Sequence, residues 1–85
     1  MLVTIEKLQE LGGHPYSVRV KQHIDFASGI TEEVISSIKD TDIPHAVIDG
    51  EDKELVIRED DMERFESEVV SQYGRNCSFK YWRYT

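Results

Sequence analysis

The sequence predicts an α+β fold: a four-stranded antiparallel sheet carrying two longer helices, with a short helix ahead of them. Three observations predict it. Residues 16–26 alternate apolar and polar with the period of a half-buried strand. Two segments, 30–39 and 62–73, instead repeat their apolar residues at helical spacing. Between them an Asp49-Gly50 turn signal separates two β-rich runs.

Each element has its own justification. Thr4 is a helix cap, Ile5, Leu8 and Leu11 fall on one helical face, Glu6 suits the first turn, and Gly12-Gly13 ends the helix. After Pro15 the period changes. Tyr16, Val18, Val20, Ile24 and Phe26 occupy even positions; Ser17, Arg19, Lys21, His23 and Asp25 occupy odd ones. In "SGITEEVISSIKD", Thr31 is the expected cap, Glu32 and Glu33 sit at the positive end of the helix dipole, and Ile30, Val34, Ile35 and Ile38 form the buried stripe. "HAVIDGEDKELVIR" reads as a hairpin. The expected register pairs Ile48 with Leu55 and Ala46 with Ile57, leaving Val47, Val56 and Arg58 facing outward. In "EDDMERFESEVVSQYG", Asp60 or Asp61 caps a helix on which Met62, Phe65, Val69 and Tyr73 are spaced for burial. Asp60–Arg64 and Arg64–Glu68 are four apart and able to pair, and Gly74 stops the helix. The closing strand sets Cys77, Phe79 and Tyr81 on one face and Ser78, Lys80, Trp82 and Tyr84 on the other. The expected core is Val18, Val20, Ile35, Ile38, Ile48, Leu55, Ile57, Phe65 and Val69.

From Tyr16 to Thr85 the element order is strand, helix, strand, strand, helix, strand, which resembles the split βαβ arrangement of ferredoxin-like domains. That resemblance implies a βαββαβ sheet of spatial order 4-1-3-2 with both long helices on one side. It carries no function. The alternative is a winged-helix-like domain, since "IPHAVIDGEDKELVIREDDMERF" also reads as a wing followed by a helix; no basic recognition helix precedes that wing.

Eighty-five residues make one small domain, 1–85, divided into an N-terminal helix and turn (1–14) and the βαββαβ unit (15–85). The N-terminal residues show no charged leader with a long apolar run, so neither a secretory signal nor a membrane anchor is expected. Cys77 is the only cysteine, which fits a reducing, cytoplasmic setting.

The net charge is −7, which disfavours general nucleic-acid binding. Its distribution is uneven. From Glu51 to Glu68 there are nine acids, whereas from Val69 onward there are none, only Arg75, Lys80 and Arg83. Two candidate surfaces follow. One is a basic, aromatic open sheet face made of Arg19, Lys21, His23, Arg58, Lys80, Trp82 and Tyr84. Edge-strand protection would account for its cations, and cross-strand stabilisation for its aromatics. Its functional reading is recognition, because Trp, Tyr and Arg often dominate interface energy. An open face of this kind also resembles the base-stacking sheet of RNA-recognition-motif domains, although "KELVIRED" has neither the glycine nor the aromatics of their third strand. The other surface is acidic: Glu59, Asp60, Asp61, Glu63 and Glu68. A solvated helix face accounts for such a run in most proteins. In size, fold order and charge, however, the chain is similar to phage-encoded acidic inhibitors of host nucleases.

No catalytic fingerprint emerges. His14, His23 and His45 are scattered and Cys77 has no partner at metal-ligand spacing, so no metal or other cofactor is expected. A Cys77–His pair is a nucleophile arrangement compatible with the sequence, but Cys77 falls on the apolar face of its strand, where cysteine acts as a small buried hydrophobe. The phosphate loop that acylphosphatases place after the first strand needs an arginine, and "ASGIT" lacks one. Gly12-Gly13 is too short for a phosphate cradle. The functional expectation is a non-enzymatic binding protein, an inhibitor or modulator of a nucleic-acid-handling protein partner. A single-stranded RNA-binding domain is the alternative, and no membrane contact is expected.

Overall fold

The computed structural model describes residues 1–21, 30–50, 53–74 and 77–84, with the backbone alone for 19–21 and 30–33. The elements are α1 (Ile5–Glu10), β1 (Pro15–Lys21), α2 (Ile30–Lys39), β2 (His45–Ile48), β3 (Glu54–Arg58), a 3-10 turn (Glu59–Asp61), α3 (Met62–Tyr73) and β4 (Ser78–Arg83). The predicted continuation of β1 through Ile24 and Phe26 lies outside the described residues, as does His23.

The four strands form one antiparallel sheet in the order β2-β3-β1-β4. The first strand is central, between β3 and the C-terminal strand, as the sequence predicts. An α+β domain with an open four-stranded sheet is therefore established.

The sheet is covered on both faces, by different amounts. On one face Val18, Leu55 and Ile57 meet Val34 and Ile38 of α2 and Phe65 and Val69 of α3. Phe65 stands edge-on to Phe79 of β4, with ring centroids 5.7 Å apart, a geometry aromatic pairs favour. On the other face α1 lowers Leu8 onto Ala46 and Val56, with Val3, Ile5, Ile48 and Tyr84 around them. Thr4 caps α1 by accepting the Lys7 N–H at 3.1 Å. Gly74 closes α3 at a φ of 87°, where a side chain would be strained, and its N–H returns to the Val70 carbonyl.

Covering both faces explains the corrections. The hairpin register is shifted by one residue: Ala46 pairs with Val56, Val47 with Leu55 and Ile48 with Glu54. Ala46, Ile48 and Val56 thus turn toward α1, and Val47 joins the helix side with Leu55 and Ile57. Strict alternation holds only where one face is wet. The uninterrupted runs "AVI" and "LVI" are what a strand buried on both sides looks like. Of the expected core, Val18, Ile38, Leu55, Ile57, Phe65 and Val69 are buried. Ile35 and Ile48 are half-buried, and the Val20 side chain lies outside the described residues. Leu8, Val34, Ile43, Ala46 and Val56 are also buried. Helix α2 already begins at Ile30, so Thr31 sits within its first turn and not at its cap.

The two edges of the sheet differ. Along β2 the N-terminal residues add a short parallel bridge at Leu2–His45, with Val3 N–H donating to the His45 carbonyl and His45 N–H to the Met1 carbonyl. Among the described residues, no strand pairs with the outer edge of β4.

Candidate functional site

The two predicted surfaces meet at one structural junction, where β3 turns into α3. Arg58 ends β3 on the α1 side of the sheet. Its Nε donates to Asp61 Oδ2 at 2.9 Å and its Nη1 to the Leu11 carbonyl at 3.1 Å. Asp61 is 4% exposed, and its other oxygen faces Arg64 Nη2 at 3.4 Å. Arg64 also reaches Asp42 at 3.3 Å. A backbone bond from the Glu59 N–H to the His14 carbonyl closes the junction. This network ties the end of α1, the start of β1 and the start of α3 together.

The junction corrects two sequence expectations. Asp61 stands at the head of α3 but makes no side-chain capping bond, because both of its oxygens are committed to arginines. Arg64 pairs with Asp61 and Asp42 in place of Asp60 and Glu68. Asp61 is thus buried and paired with Arg58 and Arg64 at the junction, and the Arg58 side chain is largely covered. Spacing alone cannot reveal this: in the sequence, Asp60 and Asp61 are equivalent acids.

The basic, aromatic face is narrower than predicted. Tyr84 is half-buried against the α1 cluster, and its N–H donates to the Pro15 carbonyl. Lys80 is exposed and Trp82 is 48% exposed, on the same side as Ser17, which the register sets opposite both Trp82 and Val56. Arg19 and Lys21 lie opposite Lys80 and Ser78 in the β1–β4 ladder. The structure thus brings Lys80 and Trp82 together on this face, where Arg58 is bonded to Asp61 and the Leu11 carbonyl and Tyr84 packs against the α1 cluster.

The acidic surface keeps most of its members. Glu59, Asp60 and Glu63 are exposed, in one turn of chain leading into α3. Glu68, further along the helix, is half-buried and accepts from Gln72 Nε2 at 3.2 Å. Glu66 accepts the Tyr81 hydroxyl at 2.6 Å. Burial and that carboxylate together push the Tyr81 phenol well above its usual range.

Two groups with the chemistry of catalysts, His45 and Cys77, pack into the fold. His45 is 1% exposed in β2, with Nδ1 2.9 Å from the Ile43 carbonyl. The Met1 ammonium lies 3.4 Å from the same nitrogen and donates to the Ile43 carbonyl at 2.7 Å. Burial lowers the pKa of the ring, opposed by the Ile43 hydrogen bond. Cys77 packs against the helix-side core, where burial raises its thiol pKa, the opposite of what a nucleophile needs. Among the described residues no group of three or more His, Cys, Asp or Glu is placed to hold a metal ion, and no helix is long and apolar enough to cross a membrane.

No protein-family model matches the chain, and comparisons with curated proteins and with solved structures find no significant match.

Proposed function

We propose that this chain is a non-enzymatic binding protein whose acidic shoulder, Glu59, Asp60 and Glu63, docks against a basic surface of a nucleic-acid-handling protein and modulates or inhibits it. One observation carries the reading. The arginines nearest in sequence, Arg58 and Arg64, turn to Asp61 and Asp42, so the three exposed carboxylates keep their field. A net charge of −7 then favours a cationic partner at long range. The fold reading that accompanies it is ferredoxin-like, supported by the element order and by the sheet order β2-β3-β1-β4. A central first strand fits that topology better than the winged-helix alternative. The likeness to phage-encoded nuclease inhibitors, in size, fold order and charge, points the same way, and the setting proposed is cytoplasmic.

Single-stranded RNA binding on the sheet face is the second reading. Lys80 beside the half-exposed Trp82 favours it. It is the weaker one because α1 occupies the Ala46–Val56 half of that face, and Arg58 and Tyr84 are engaged elsewhere. The test is affinity capture from lysate with and without nuclease treatment. Recovery of the same protein partner under both conditions supports the proposal. Loss of all captured material on nuclease treatment overturns it in favour of RNA.

A further inference from the structure

The β4 edge has a property that the proposed function does not use: its sequence is complementary to itself. The Tyr84 N–H donates to the Pro15 carbonyl at 3.0 Å, and the β1–β4 register continues Trp82–Ser17 and Lys80–Arg19. In an antiparallel ladder, hydrogen-bonded pairs recur at every second residue. The backbone groups of Lys80 and Trp82 therefore point to β1, and those of Phe79, Tyr81 and Arg83 point outward, away from the sheet. The opposite edge of the sheet is already bridged by residues 1–3.

The geometry points to a symmetric homodimer in which β4 pairs antiparallel with β4 of a second copy, centred on Tyr81. In that register Tyr81 faces Tyr81 of the second copy, Phe79 faces Arg83, and Lys80 faces Trp82. Every cation lies opposite an aromatic ring and no like charges meet. The outward groups of Phe79, Tyr81 and Arg83 supply about six backbone hydrogen bonds, two for each paired position. Lys80 and Trp82 fall at non-hydrogen-bonded positions, where Cα atoms approach to about 4.5 Å and cross-strand side chains interact most closely. Both are on the exposed side, with Trp82 48% exposed. Cation–aromatic contact is favourable there and occurs twice by symmetry.

Other registers are poorer. Centring on Lys80 sets the two lysines directly opposite, which is destabilising. Centring on Trp82 carries the pairing beyond β4 to Tyr84, which belongs to the α1 cluster. The match of cation to ring selects a second copy as the occupant: Lys80 and Arg83 make each β4 positive, and this register sets each of them opposite a ring. Residues 77–84 contain no acid, so two β4 strands meet without opposing carboxylates, although each chain carries −7 overall. Added salt should screen that long-range repulsion and strengthen the dimer. Capture of an acidic peptide on the same cationic edge would weaken with salt.

The test is sedimentation equilibrium of the purified chain over a wide concentration range, at low and moderate salt. The expected result is a concentration-dependent rise from the 9.9 kDa chain mass to about twice that value, favoured by salt. Trp82→Lys sets lysine opposite lysine twice and should raise the dissociation constant about tenfold or more. The swapped variant Lys80→Trp/Trp82→Lys restores the cation–aromatic pairs in this register alone and should recover the dimer. Circular dichroism on each variant separates lost association from lost folding, and both positions are solvent-facing. A chain that stays monomeric at all concentrations overturns the proposal. So does a dimer indifferent to Trp82→Lys, or a swapped variant that is folded and monomeric.

Discussion

Changing Asp61 to Asn should cost far more stability than changing its neighbour Asp60, although the two are indistinguishable in sequence. Asp61 is buried and pairs with Arg58 at 2.9 Å and Arg64 at 3.4 Å. The Arg58 side chain is only 19% exposed, so its charge loses its counterion where water replaces it poorly. Removing one partner of a fully buried pair costs about 3–5 kcal/mol. Three features reduce that figure here. Arg58 retains the Leu11 carbonyl, Arg64 is half-exposed and retains Asp42, and Asn still offers one acceptor. The expected loss is about 2–3 kcal/mol. A domain of this length holds roughly 4–13 kcal/mol in total. In urea, with a slope of about 1 kcal/mol/M, the midpoint should fall by about 2–3 M with the slope unchanged. Asp60→Asn should change stability by less than about 0.5 kcal/mol, a midpoint shift below about 0.5 M. The double variant Arg58→Met/Asp61→Leu should recover part of the loss, since it leaves no buried charge behind. Equal midpoints for Asp61→Asn and Asp60→Asn would refute the claim that this ion pair holds the junction.

Two further predictions concern the two cores. Phe65→Ala, at a fully buried position touching both Phe79 and the helix-side cluster, should cost about 3–5 kcal/mol in the same urea assay. His45 is buried with its pKa lowered, so the unfolded chain binds its proton more readily than the folded one. Its contribution is complete above the unfolded value of about 6.5 and is lost as pH falls from there through the folded pKa. His45→Gln should flatten that part of the stability–pH curve, read by thermal unfolding between about pH 7.5 and 5; an unchanged slope would show that the ring titrates as it does in the unfolded chain.

Much of the fold is legible in the sequence because it rests on local signals. Thr4, Gly74, the alternation of residues 16–21 and the helical spacing of Phe65 and Val69 each mark their elements without help from the rest of the chain. The hairpin register is not legible, because it depends on what covers the second face of the sheet. The short helix α1 is recognisable, but nothing in "IEKLQE" says that Leu8 will reach Val56. The same applies to the candidate site. Lys80 and Trp82 follow from strand parity, and the exposure of Glu59, Asp60 and Glu63 follows from charge. Asp61 and Arg58 change character only because β3 runs directly into α3 and brings Leu11 alongside. His45 is hidden for a similar reason: its burial depends on residues 1–3 folding back along β2.

The central claim is that the acidic shoulder, and not the sheet face, is the recognition surface. The most direct measurement compares three immobilised baits in nuclease-treated lysate: the unaltered chain, Glu59→Lys/Asp60→Lys/Glu63→Lys, and Trp82→Ala. None of these side chains is buried, so all three baits should fold, which circular dichroism verifies. The account predicts that the unaltered chain and Trp82→Ala retain the same partner, most strongly at low salt, and that the triple reversal loses it. Retention by the triple reversal together with loss by Trp82→Ala would contradict the account and place recognition on the sheet face.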